Sequence, residues 1–237
     1  MPLWVRHRDV VRHAACLQSI ARWKRSAMEG KYMRRPMAEI ARKALGVGLP
    51  VATAGTDRAA GPIVADVWTG HDLGFVLLLH RRDDGYFSEE VYYSLRGLDG
   101  GEEGWTGCDH LSGGLLGFDP EDASARVEVL AGHAMAIVTE SESLVHTGRV
   151  AENEGDELVR VVELLVTSEA DVLEVENLTG PSRHRRSLRS ALALIVLLPG
   201  DRIHVRAARS TRSAHIPVGD VIELSHSPDS TTDRGWL

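Results

Sequence analysis

Past Leu49, hydrophobic and polar positions alternate with a period of two. The segment Arg202-Ile203-His204-Val205-Arg206-Ala207 places Ile203, Val205 and Ala207 on one side and Arg202, His204 and Arg206 on the other, as a half-buried strand requires. Similar or wholly apolar patterns predict strands over Pro62–Trp68, Leu73–His80, Phe87–Leu95, Ala125–Ala131, Ala134–Thr139, Leu144–Val150, Leu158–Thr167, Val172–Leu178, Leu192–Leu198 and Ile216–Leu224. Turn signals separate them: Asp83-Asp84-Gly85, Ala131-Gly132, Glu154-Gly155-Asp156, Thr179-Gly180-Pro181 and Pro199-Gly200-Asp201. That short spacing is typical of antiparallel sandwiches and barrels. Two apolar stretches, 156–166 and 186–197, are long enough for helix or strand. In the first, Val159, Val161, Val162 and Val166 favour a strand, because β-branched side chains pack well on a pleated surface.

Before Leu49 the period is helical. Cys16, Ile20, Trp23 and Ala27 form one stripe, with Arg12, His13, Arg22, Lys24 and Arg25 largely outside it, which describes a basic amphipathic helix. A second helix opens at Pro36, shows Met37, Ile40, Ala41 and Ala44 on one face, and stops at Gly46, with Gly48 and Pro50 beyond. The expected architecture is therefore mainly β: an antiparallel two-sheet sandwich, jelly-roll-like or Ig-like, over residues 48–225. A basic helical extension over 1–47 precedes it, and a flexible C-terminal tail over 226–237 follows. The run Leu197-Leu198-Pro199-Gly200-Asp201-Arg202-Ile203-His204-Val205 is similar to a pattern found near the end of jelly-roll modules. The resemblance implies a hairpin built on a Gly-Asp turn and carries no function.

Charge follows the same division. Residues 1–47 hold 11 Lys/Arg against 3 Asp/Glu, residues 48–181 hold 7 against 26, and residues 182–237 hold 9 against 5. The nets are +8, −19 and +4. An acidic body repels phosphate backbones, whereas a basic arm is drawn to an acidic face of its own or another copy. Nucleic acid is disfavoured as a partner because no series of stacking aromatics accompanies the basic residues. The apolar stripe of the arm is narrow and Ala-rich, which favours packing on the body over lying on a membrane.

Composition removes several chemistries. All three lysines, Lys24, Lys31 and Lys43, precede the body, so the body holds no phosphate-loop lysine, Schiff-base lysine or lysine general base. The two cysteines, Cys16 and Cys108, are too few for a four-cysteine zinc site. The longest apolar run, at 190–199, has about half the roughly 20 residues of a membrane helix. The first residues carry charges where a secretory signal is apolar, so the expected compartment is the cytoplasm and no membrane span is expected.

Eight glycines fall between Gly97 and Gly117, too many for a packed strand given glycine's entropy cost. The expectation is a long loop holding Trp105, Cys108, Asp109, His110 and Ser112. A catalytic reading makes Cys108 a thiolate nucleophile, His110 or a distal His71, His80 or His133 its base, Asp109 or another acid the orienting group, and glycine N–H groups the oxyanion donors. A metal reading joins Cys108 and His110 to histidines of neighbouring strands, but nothing in the spacing fixes a geometry, and neither a metal nor a cofactor is implied. The adjacent carboxylates Asp83-Asp84, Glu89-Glu90, Glu102-Glu103 and Glu121-Asp122 read as solvated turns or edges, because sequence neighbours on a strand point apart. Arg183, Arg185, Arg186 and Arg189 read as an arginine loop that answers nearby Glu174 and Glu176 or clamps a carboxylate or phosphate. With Trp105 they are the candidate binding residues.

The functional expectation is a cytoplasmic protein without catalytic activity that binds another macromolecule or self-assembles as a homo-oligomer through the opposite charges of arm and body. The alternative is a hydrolase or transferase with a Cys/His site in the glycine-rich segment 97–117.

Overall fold

The computed structural model describes residues 36–46, 61–97, 104–180 and 182–228. The chain is mainly β, with three antiparallel sheets. A helix over 36–46, α1, comes first. It is followed by strands β1 (Ile63–Gly70), β2 (Leu73–Arg81), β3 (Phe87–Leu95) and β4 (Asp109–Leu116), helix α2 (Ala123–Leu130), and strands β5 (Met135–His146), β6 (Asp156–Val166), β7 (Val172–Asn177), β8 (Arg183–Ser187), β9 (Leu192–Leu197), β10 (Arg202–Ser210) and β11 (His215–Ser225). The first sheet has the order β1-β2-β3-β4, the second β5-β6-β9, and the third β11-β10-β7-β8. The predicted amphipathic helix at Cys16–Ala27 lies outside the described residues.

The second sheet is the middle layer, and its sequence shows why. Every residue of β9, Leu-Ala-Leu-Ile-Val-Leu, is buried. Leu192, Leu194 and Val196 pack with Val159, Val161 and Leu165 of β6 against Phe75, Leu77, Leu79 and Val91 of the first sheet. Ala193, Ile195 and Leu197 pack with Val162 and Leu164 against Leu173, Val175, Ile203 and Val205 of the third. A strand that is apolar on both faces needs cover on both. A two-sheet sandwich supplies one cover per inner face, so a third sheet completes the stack. Strand β2 is likewise buried on both sides: Val76 and Leu78 meet Met37, Ala41, Ala44 and Leu45 of α1. Gly74 permits that contact, since a Cβ there would stand 2.5 Å from the Leu45 side chain and 2.9 Å from the Trp105 ring.

Most predicted strands form within two residues of their expected ends, and the departures have local causes. The segment predicted as a strand at Ala125–Ala131 is helix α2, because Asp122 caps it by accepting the Ala125 N–H at 2.8 Å and Ala131 closes it in the left-handed region. The two strands predicted over Ala134–Thr139 and Leu144–Val150 are one, β5. Its polar centre, Glu140–Ser143, is tolerated because β5 is an edge paired only with β6. The expected arginine loop is edge strand β8, whose charges protect an unpaired edge from other chains. His226, placed in the tail by sequence, is buried, with its ring at 2.7 Å from the Leu158 carbonyl oxygen.

One carboxylate ties all three sheets together. Asp66 follows a β-bulge in β1, a feature that re-aims side chains. Its Oδ2 accepts the Leu194 N–H of β9 at 2.6 Å and meets the Arg186 guanidinium of β8 at 2.8 Å, while Oδ1 accepts the Val67 N–H at 2.9 Å. Burial pushes the Asp66 carboxyl above the usual range, opposed by the Arg186 charge and these two N–H donors. Asp66→Ala leaves a largely buried guanidinium and a buried N–H without their acceptor, at an expected cost of about 3–5 kcal/mol. Urea denaturation measures it, and Asp66→Ala combined with Arg186→Leu should regain part of the loss.

Candidate functional site

Of the candidates in the glycine-rich segment, Trp105, Cys108 and His110 gather on the face of the first sheet covered by α1. The segment from Asp109 onward is strand β4, not loop, and its glycines make room for acids of the neighbouring strand. A Cβ at Gly113 would lie 2.8 Å from Glu90 Oε2, and one at Gly114 would lie 2.6 Å from Glu89 Oε1. In this register His110 stands opposite Tyr92. Its Nε2 bonds Glu90 Oε2, and its ring meets Tyr92 edge-on at 5.3 Å. Glu90, and not Asp109, orients His110. Asp109 is exposed and points away from His110 by strand alternation. It acts with burial, the larger influence, and with Asp156 to hold the Tyr93 phenol above its usual range.

Cys108 shares the His110 side of the chain but packs into the cluster under α1, beside Val76, Leu78 and Leu45. Burial pushes its thiol up to about 11, against a hydrogen bond with Ser94 and the Arg42 charge, and Asp109 adds to the rise. At neutral pH the group is a thiol, which is a weak nucleophile. Trp105 is half-buried: its indole N–H donates to the Leu45 carbonyl at 3.1 Å, and the Arg96 guanidinium lies 5.4 Å from its ring. The residue thus fastens the end of α1 to the sheet. His80, on β2, has its pKa lowered by burial, an effect that the Glu90 charge opposes and Arg82 reinforces; its Nδ1 is buried with no hydrogen-bond partner among the described residues.

A second cluster lies between the first and middle sheets. Glu89 of β3 and Glu163 of β6, 4% and 2% exposed, face each other from opposing strands, and Thr139 Oγ donates to Glu89 Oε2 at 3.0 Å. The expectation that Glu89 is a solvated edge residue therefore fails: alternation sends Glu90 to the α1 face and Glu89 into the core. Burial first, then the Glu89 charge and their hydrogen bond, raise the Glu163 carboxyl from 4.5 to about 9. Glu163 was legible only as a charge inside the valine-rich run of β6.

The arginines of β8 divide between two acids. Arg183 and Arg185 donate to the two oxygens of Glu174 at 2.6 and 2.8 Å. Burial alone would raise the Glu174 carboxyl, but these donors outweigh it and hold the group below the usual range. Arg186 belongs to Asp66, and Arg189 is exposed beyond the strand. Beside them, Glu174, Glu176, Arg183, His204, Arg206 and Val221 line a hollow of about 230 Å³ on the outer face of the third sheet. Among the described residues, no group of three or more His, Cys, Asp or Glu side chains is arranged to hold a metal ion. No described helix is long and apolar enough to cross a membrane. Comparison with protein-family models, curated proteins and solved structures gives no match.

Two measurements probe these clusters. The folded state keeps the Glu163 proton between about pH 4.5 and pH 9 while the unfolded chain loses it, so stability falls as pH rises through that window. Glu163→Gln, which keeps a donor toward Glu89, should flatten the fall. Near pH 9 it should exceed the parent by about 1 kcal/mol or more, some 2–4 °C in Tm, with no such gain near pH 5. In a Cys16→Ser background, Cys108 should react with a disulfide reagent at neutral pH about a hundredfold more slowly than free cysteine, from its smaller thiolate fraction.

Proposed function

We propose that the chain is a non-catalytic cytoplasmic binding protein that self-assembles or holds a macromolecular partner through complementary charge. In this reading the first and middle sheets form the core sandwich, jelly-roll-like or Ig-like, and the helical extension presents the basic arm to it. The observation that carries the reading is the seating of α1. Met37, Ala41, Ala44 and Leu45 are buried against Val76, Leu78 and Tyr92, and Trp105 fastens the last turn. Residues 1–35, with nine Lys/Arg against two Asp/Glu, are thereby tethered to a body segment of net −19. Opposite potentials on connected surfaces favour association within or between copies and set its dependence on salt.

A hydrolase or transferase reading retains one supporting feature: Cys108 and His110 share a face, and Glu90 orients the imidazole. The high thiol pKa and the packing of Cys108 under α1 weigh against it. Rapid modification of Cys108 at neutral pH would favour the enzyme.

The binding reading is tested on the full chain and on a variant with Arg6, Arg8, Arg12, Arg22, Lys24 and Arg25 changed to Gln, which leaves α1 intact. Light scattering and hydrodynamic radius are measured at about 0.1 M and 1 M salt, where the Debye length is about 10 and 3 Å. The parent should be larger in mass or more compact at low salt than at high salt, and the variant should lose that difference. An identical mass and radius for both proteins under both conditions would overturn the reading.

A further inference from the structure

The third sheet carries a cationic cleft that is separate from the arm and from the acid clusters. At the tip of the β10–β11 hairpin, Thr211, Arg212, Ser213, Ala214 and His215 face Arg185 of β8 across an open cleft of about 540 Å³. The hairpin tip is locally braced. The Thr211 N–H and hydroxyl both donate to the Ala214 carbonyl at 2.8 Å, and the Ala214 N–H returns to Thr211 Oγ at 3.0 Å. Ser210 Oγ lies 3.2 Å from His215 Nδ1, which fixes the ring and leaves its other nitrogen for a ligand.

The charge balance around the cleft is positive. Glu174 is shared by Arg183 and Arg185, so one acid meets two guanidinium groups. Arg212 is exposed and forms no ion pair among the described residues. Asp171, which the His215 charge also influences, accepts the Ser210 N–H at 2.7 Å and is held below the usual range first by that bond. On the same sheet Arg202 is matched by Glu223 at 2.7 Å and Arg186 by Asp66, while Arg206 and Arg209, like Arg212, form no ion pair among the described residues. Two guanidinium groups, an imidazole and hydroxyl-bearing side chains around one opening suit a tetrahedral dianion, because guanidinium forks and hydroxyls complement phosphate oxygens.

We propose that this cleft binds the phosphate group of a small phosphate monoester, with Arg212 and Arg185 as its charged anchors and His215 as a third donor. Titration calorimetry on the full chain, with inorganic phosphate, adenosine monophosphate and adenosine as probes, tests it. Saturable binding of the monophosphate, with adenosine inert, is the expected result. Inorganic phosphate then separates the sources: affinity equal to the monophosphate assigns the site to free phosphate, and weaker affinity assigns it to an ester. Arg212→Gln should weaken binding by about tenfold or more through loss of a charged fork. Arg81→Gln removes the same charge on β2 of the first sheet, away from the cleft lining, and should leave affinity within about twofold, as expected for a screened charge. Absence of binding at millimolar probe, equal binding of adenosine, or equal losses in the two variants would overturn the proposal. The arm variant with six Gln substitutions should bind as the parent does, so failure here is distinguishable from failure of the charge-driven association.

Discussion

The architecture depends on a middle sheet in which β9 and the second half of β6 have no solvent face. Strands β6 and β9 present aliphatic side chains to both sides, so the chain must place one sheet in front and another behind to remove them from water. The three layers are joined where apolar packing is interrupted by a buried charge. Asp66 leaves β1 at a bulge and reaches β9 and β8 at once. Such a group is tolerated only when each oxygen is matched. The matching partners come from different sheets, so the relative placement of all three follows from satisfying one carboxylate.

The same rule governs the other buried acids. Glu89 and Glu163 lie where the first and middle sheets close on each other, and two such carboxyls cannot both ionise cheaply in that setting. The retained proton on Glu163 is thus a consequence of how the sheets pack. Glu174 is handled differently: Arg183 and Arg185 neutralise it from the adjacent strand, which keeps it ionised at the outer edge. Asp66, Glu89 and Glu163 thus lie between layers, whereas Glu174 organises the cationic surface of the third sheet.

Several features are legible in the sequence alone. Alternation in Arg202–Ala207 and the β-branched run of β6 identify their strands, and Pro36 to Gly46 bounds α1. Helix α2 is not legible in the sequence because Val127 and Val129 look strand-like, whereas the deciding contact is the Asp122 side chain on the Ala125 N–H. Strand β4 is not legible in the sequence because the entropy cost of Gly113 and Gly114 argues for a loop. Their need arises from Glu90 and Glu89 on β3, which occupy the space a Cβ would fill. Among the candidate site residues, Cys108 and His110 do share a face, but the group that orients His110 is Glu90, some twenty positions away in sequence, a pairing created by register.

The sequence by itself determined that the chain past Leu49 is built of antiparallel strands, that its lysines lie only in the arm, and that charge is divided between arm and body. These are properties of local periodicity and composition, which each segment carries alone. Only the tertiary structure decided that there are three sheets, that Glu89 is buried while Glu90 is not, and that the Cys108 thiol keeps its proton. Each of those follows from which strand lies opposite which, and from the water excluded when the layers close, and neither quantity is written in any one segment.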